Sequence, residues 1–220
     1  MNIQWRPPVT EVVLGLFICN ALLHLVFSYL SINIPRAITK VLIMPLLLLF
    51  YLLTARDLTV MVILAAVFGW LGDVFLLKIS STRFFRLGLA SFLIGHLCYI
   101  PAMIQFTGDV HVLALVISLI IAVPLAYLVI KFVNPDKPMR IPAAVYSLVI
   151  VLMSVTALQL MLFRMDGQGF AVFIGSLCFL ISDSLLAFFT FGTMPKRGSF
   201  YIMLPYILAQ TFIVIGLAGC

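Results

Sequence analysis

Apolar stretches long enough to cross a bilayer recur along the whole chain, and they leave few folds open. A hydrocarbon layer ~30 Å thick is crossed by about 20 apolar helical residues. Eight stretches reach that length, roughly 9–30, 36–53, 58–77, 84–106, 110–133, 141–163, 170–191 and 200–217. Lipid supplies no hydrogen-bond partner for a bare backbone, so each stretch is expected to be a helix. Turn formers or charges mark the breaks at 31–35, 55–57, 78–83, 107–109, 134–140, 164–168 and 192–198. Only 9% of the 220 residues are charged, against about 25% in an average soluble domain. No polar block is large enough for a second domain. The expectation is a single all-α integral membrane domain over 1–220, polytopic, with eight transmembrane helices. The first stretch follows Arg6 without a small-residue cleavage site, which predicts a retained helix, not a signal peptide.

Lys and Arg are unevenly distributed among the breaks. The first, third, fifth and seventh breaks, with adjoining helix ends, hold Arg36, Lys40, Lys78, Arg83, Arg86, Lys131, Lys137, Arg140, Lys196 and Arg197. The opposite side holds Arg6, Arg56 and Arg164. Ten cations against three place the richer side in the cytoplasm and both termini away from it. The net charge of +6 is therefore read as an orientation signal, and no nucleic-acid partner is expected. The expected location is a plasma membrane, or the inner membrane of a bacterial cell. Cys19, Cys98, Cys178 and Cys220 lack metal-ligand spacing, so neither a zinc site nor a disulfide framework is indicated.

Two carboxylates interrupt the apolar stretches. Asp73 lies in GWLGDVFLL and Asp183 in CFLISDSLLAFF. A carboxylate at membrane depth is costly and points to a functional site. The structural alternative is an ion pair with Lys40, Lys78 or Arg83 for Asp73, and a hydrogen-bonded packing role for Asp183. The predicted orientation puts both in the cytoplasmic half of the membrane. Lys40, Asn20, His24, His96, Tyr206 and Gln210 fall at similar depth. Asp73 and Asp183 are 110 positions apart, half the chain length, and Leu76/Leu186 and Gly88/Gly198 keep that offset. At the same offset His96 aligns with Tyr206. Such a repeat suits two parallel four-helix halves related by an axis along the membrane normal.

The remaining polar residues divide by helical spacing. His96 and Tyr99 share a face of the fourth stretch, and Tyr206 and Gln210 share one of the eighth. His96 and Gln210 are assigned to a cavity lining because both stretches adjoin an aspartate stretch. Asn20, His24 and Ser28 form a stripe on the first stretch that is read as an interhelical hydrogen-bond site. Lys40 has two readings, snorkelling to the membrane surface or pairing with a carboxylate or a phosphate.

Taken together, several pieces resemble the YhhN-like family of membrane lysoplasmalogenases. They are Lys40, GWLGDVFLL at 69–77, GLASFLIGHLCYI at 88–100, Tyr146, GSLCFLISDSLLA at 175–187 and PYILAQTFIVIG at 205–216. Val41 departs from the family's tendency to have Pro after the Lys. The resemblance implies hydrolysis of the vinyl ether bond of lysoplasmalogens, giving a fatty aldehyde and a glycerophosphoethanolamine or glycerophosphocholine. It implies a lysophospholipid substrate among membrane lipids, and no metal or organic cofactor.

The residue types fit that chemistry. Protonation of the vinyl ether β-carbon makes an oxocarbenium ion, to which water adds. A carboxyl pair supplies an acid, a base and a counter-charge, as it does for glycosidic oxocarbenium ions. An apolar surround and a neighbouring carboxylate both favour holding one proton on such a pair near neutral pH. Asp73 and Asp183 are the expected catalytic residues, with Asp183 as acid and Asp73 as base. Lys40, His96, Tyr99, Tyr146, Ser182, Tyr206 and Gln210 are the expected substrate-binding residues. The alternative function is a transporter of a lipid or small solute that uses the paired aspartates as a proton relay. A metal-dependent lipid hydrolase is the weakest reading, since the three histidines lie on separate elements.

Overall fold

A computed structural model describes residues 8–107 and 137–220, with isolated positions 116, 120, 124, 127, 131 and 135 between them. Seven helices in the described residues are long and apolar enough to cross a membrane. They are α1 (Pro8–Leu30), α2 (Asn33–Thr54), α3 (Val60–Phe75), α4 (Thr82–Ile104), α5 (Arg140–Arg164), α6 (Gly167–Phe191) and α7 (Gly198–Gly219). No strand occurs among the described residues. The predicted helix at 110–133 lies outside them apart from the isolated positions.

Several ends differ from the predicted bounds for local reasons. Helix α2 begins at Asn33 and takes Pro35 into its first turn, where a missing backbone N–H costs nothing. The turn before it is tight because Ser31 adopts a left-handed conformation, φ 60°. Met165 does the same after α5, φ 48°. Asp166 then caps α6, its Oδ1 accepting from the Gly169 N–H at 2.8 Å. This cap starts α6 three residues before the apolar stretch does. Past α3 the chain tightens into a 3-10 turn, Leu76–Lys78, which ends the third span.

The packing order closes a ring. Successive helices α2 to α7 touch in order, and α7 returns to α2. Helix α1 lies outside that ring against α2 and α7. Its attachment to α2 is partly polar. Asn20 Nδ2 donates to the Thr39 carbonyl at 2.9 Å, His24 Nδ1 and Thr39 Oγ1 lie 3.0 Å apart, and Ser28 Oγ meets His24 Nε2 at 3.2 Å. Asn20 and His24 of the expected stripe bond the neighbouring helix, and Ser28 meets His24 within α1.

Inside the ring the core is large and apolar, with Ile43, Met44, Leu47, Phe179, Met153 and Leu160 almost fully enclosed. Outside it, leucines and isoleucines such as Leu22, Ile34 and Ile120 stay exposed. Exposed apolar surface on this scale suits lipid, not water. Gly175 sets the approach of α6 to α7, since a Cβ there would lie 2.8 Å from the Ala209 carbonyl oxygen.

Candidate active site

Both aspartates line one cavity of about 580 Å³. Asp73 reaches it from the last turn of α3 and Asp183 from α6, two turns before that helix ends. Further walls come from the start of α2, with Asn33, Arg36 and Lys40, and from α7, with Ser199 and Tyr206. These groups are far apart in sequence, and the closing of α7 onto α2 brings them together.

Asp73 is 1% exposed and has two partners. Tyr206 Oη donates to its Oδ2 at 2.6 Å. The Lys40 ammonium stands 3.5 Å from its Oδ1. Of the two readings of Lys40, the carboxylate partner is the one observed. Tyr206 is held by ring contacts on both sides, edge-on to Phe92 at 5.9 Å and to Phe179 at 5.7 Å. Phe92 reaches that position because residue 72 is glycine: a Cβ at Gly72 would fall 2.6 Å from the Phe92 ring. The glycine preceding Asp73 therefore serves the tyrosine that holds the carboxylate.

Asp183 is 11% exposed, more open than Asp73. Tyr146 Oη donates to its Oδ2 at 2.6 Å. His96 Nε2 lies 3.5 Å from that oxygen and 3.3 Å from Tyr146 Oη, so the three groups form a closed triangle. Phe179 meets the His96 ring edge-on at 4.7 Å. It therefore stands between His96 and Tyr206, one partner of each aspartate.

The other predicted binding residues are placed less directly. Ser182 lines the cavity, and its hydroxyl donates to the Ile202 carbonyl at 3.1 Å, tying α6 to α7. Tyr99 Oη donates to Gln210 Oε1 at 2.7 Å, and both are 1% exposed. That bond joins α4 to α7 in the interior, and neither residue is among those that line the cavity. His96 likewise contacts Asp183 without lining the cavity. Sequence reasoning missed Arg36, Asn33 and Ser199 as wall residues. Arg36 had a usable signal: it stands four positions before Lys40, on the same helix face.

A second cavity, about 240 Å³, opens beside the first between α4, α5 and α6. Asp183 and Leu186 line both. Among the described residues no group of three or more His, Cys, Asp or Glu is arranged to hold a metal ion.

The sequence model of the YhhN family matches residues 35–217. The chain belongs to the YhhN family. The matched span contains both aspartates, both tyrosines that bond them, Lys40 and His96, and it reaches from the first turn of α2 to the last turn of α7. Over 128 residues the chain is 32% identical to the human protein named Lysoplasmalogenase TMEM86B, which covers 58% of this chain and 51% of that one. The chain thus spans about half the length of the curated relative it matches. No solved structure matches it. With seven apolar spans among its described residues, this member of the YhhN family is an integral, multi-pass membrane protein.

Proposed function

We propose that the chain is a lysoplasmalogenase, an ether hydrolase acting on 1-alkenyl-lysoglycerophospholipids drawn from the surrounding membrane lipids. The observation that supports this most is one cavity bordered by two shielded carboxylates and two cations, Arg36 and Lys40. The carboxylates match the needs of an oxocarbenium reaction, and the cations match the phosphodiester of the product headgroup. The name of the human relative points the same way.

Asp183 is assigned as acid. Its protonated carboxyl delivers a proton to the β-carbon of the vinyl ether, and the resulting oxocarbenium ion faces the Asp73 carboxylate. Asp73 takes a proton from the attacking water, and a hemiacetal forms. In the collapse Asp183 takes the hemiacetal hydroxyl proton while Asp73 returns its proton to the leaving glycerol oxygen. The products are an aldehyde and a glycerophospho-alcohol, one water is consumed, and both carboxyl groups regain their starting states. The Lys40 ammonium beside Asp73 fits the anionic role for that residue. Tyr206 and Tyr146 orient the two carboxylates, and His96 braces Tyr146 and Asp183. Ser182, Tyr99 and Gln210 hold α6 and α4 against α7 around the substrate.

The same proposal extends to architecture: one domain of eight helices in two parallel halves, with both termini outside the cytoplasm. Its support is reciprocal. Asp73 bonds Tyr206, and Asp183 contacts His96, so moving Asp73 forward and Tyr206 back by 110 positions turns the first pair into the second. The ring contacts repeat likewise, α3 with α4 as α6 with α7, and α2 with α7 as α5 with α4. A reporter fused after Cys220 should read non-cytoplasmic, and a cytoplasmic reading would overturn the orientation.

The activity is tested with purified protein in detergent and three lysophospholipids that differ only at the chain linkage. The alkenyl ether should be cleaved to aldehyde. The saturated alkyl ether should compete without reacting, because it has no alkene carbon to protonate. The ester should react far more slowly, since ester cleavage needs an activated nucleophile beside oxyanion donors, roles that the two-carboxylate mechanism does not supply. Equal turnover of ester and vinyl ether would refute the mechanism. Solute movement across sealed vesicles with no hydrolysis in detergent would favour the transporter.

A further inference from the structure

The two cavities are counterparts of one another at the 110-residue offset. Arg36 and Lys40 of the larger cavity correspond to Tyr146 and Ile150 of the smaller. Leu77 corresponds to Ala187, and Ser199 to Leu89. Asp73 and Leu76 correspond to Asp183 and Leu186. One architecture therefore occurs twice, with opposite chemistry. Where the first copy has two cations and a serine hydroxyl, the second has an aromatic ring and two aliphatic side chains.

Two hydroxyls of the smaller cavity are already occupied. The Tyr146 hydroxyl donates to Asp183, and the Ser147 hydroxyl donates to the Ala143 carbonyl at 2.9 Å. Apart from Asp183 and Ser184, the rest of the lining is apolar, presented by Ile150, Val151, Leu180 and Phe85 among others. The wall shared with the larger cavity carries Asp183.

We infer that the smaller cavity is the binding slot for the hydrocarbon chain of the substrate, while the larger cavity holds the phosphorylated headgroup. This rests on the lysoplasmalogenase reading and adds to it the place of each substrate end. A lysolipid laid across the shared wall has its polar end near Arg36 and Lys40 and its chain between α4, α5 and α6. The bond that joins the two ends then lies at Asp183, the residue assigned to protonate it. Chain-length preference is accordingly set by the small residues of the slot, Ala143 and Ala187, which leave the space that longer chains fill.

The test uses Ala143→Phe and Ala187→Phe in the full-length protein, with long-chain and short-chain alkenyl lysophospholipids as probes. Either variant should lower the long-to-short ratio of kcat/KM by about tenfold or more, the range set by a few methylenes in an apolar pocket. Leu22→Phe, on the exposed face of α1, should leave that ratio at the wild-type value. An equal loss for both chains, or an unchanged ratio in the slot variants, overturns the inference. A second arm needs neither activity nor a variant. A saturated alkyl-ether lysophospholipid with a diazirine at the chain end is photolysed on wild-type protein. Adducts should fall in 85–89, 139–151 or 180–191. Adducts at 33–40 or on α1 would overturn the slot. Absence of vinyl ether cleavage by wild type would refute the proposed activity, and the cross-linking arm would still decide where the chain lies.

Discussion

Asp73 and Asp183 lie 110 positions apart, on α3 and α6, and their surroundings differ in one instructive way. Each accepts a 2.6 Å hydrogen bond from a tyrosine. Asp73 adds an ammonium at 3.5 Å and is 1% exposed, whereas Asp183 adds an imidazole at 3.5 Å and is 11% exposed. Lys40 is the source of the difference, because its counterpart at the 110-residue offset is Ile150. A buried charge needs a partner, and losing that partner strands the charge at high cost. The Asp73 side is therefore built as an ion pair. The Asp183 side is a network of an imidazole, a phenol and a carboxyl group. Two carboxyl groups with different neighbours can take different parts in one reaction.

Replacing the carboxyl groups gives the largest effect and the most direct way to break the comparison. Asp73→Asn and Asp183→Asn should each lower vinyl ether turnover by ~10²–10⁴-fold, the usual contribution of a general acid or base. The purified variants should keep the wild-type elution profile and helical circular dichroism. If Asp73→Asn retained near-normal turnover, Asp73 would be only the counter-ion of Lys40, and the two sites would not share the chemistry.

The tyrosines come next. Tyr206→Phe and Tyr146→Phe each remove a hydrogen bond to a carboxylate, an interaction worth about 1.5–3 kcal/mol. The expected loss in kcat/KM is about tenfold or more for each. A loss confined to one tyrosine would mean that only one carboxylate must be held in register.

Lys40→Met sharpens the difference between the sides, because it gives the first cavity an apolar side chain where the second has Ile150. KM for the lysophospholipid should rise, and thermal stability in detergent should fall, since Asp73 loses its ion-pair partner. A rise in KM with unchanged stability would assign Lys40 to the phosphodiester alone.

The smallest effect lies outside both sites. Asp166 caps α6 and pairs with Arg164 at 2.7 Å. Asp166→Ala should cost about 1 kcal/mol of stability, a typical cap loss, with KM unmoved. The hydrogen bond from Arg164 holds the Asp166 carboxyl below its ordinary range. Its contribution is thus full above the unfolded carboxylate range and fades as pH falls through the lower folded value. Melting temperatures of wild type and Asp166→Ala should converge at acid pH, and a gap that widened there would contradict the cap.

Seven of the predicted spans coincide with helices to within a few residues. The signal is strong because each span must be apolar along its whole length whatever it touches. Asp73 and Asp183 were legible for the complementary reason, since charge in such a span is rare. Arg36 was not, because a cation at a helix end also serves as an orientation signal, and hydropathy does not separate the two uses. Adjacency to an aspartate stretch points Gln210 at a cavity, yet its side chain meets Tyr99 in the interior. The slot around Ile150 was invisible, because an apolar side chain reads the same whether it meets lipid, another helix or an empty space.

By itself, then, the sequence determined the membrane setting, the helical spans and the two carboxylates within them. It did so because burying charge or open backbone in hydrocarbon costs more than any local preference supplies. Tertiary structure alone decided that α7 closes onto α2 and delivers Tyr206 and Lys40 to the same carboxylate. It also decided that one wall carrying Asp183 divides a cationic cavity from an apolar one. Those outcomes depend on side-chain shape at helix contacts, such as the bare Gly72 that admits the Phe92 ring. Shape complementarity between distant segments leaves no periodic trace in the chain.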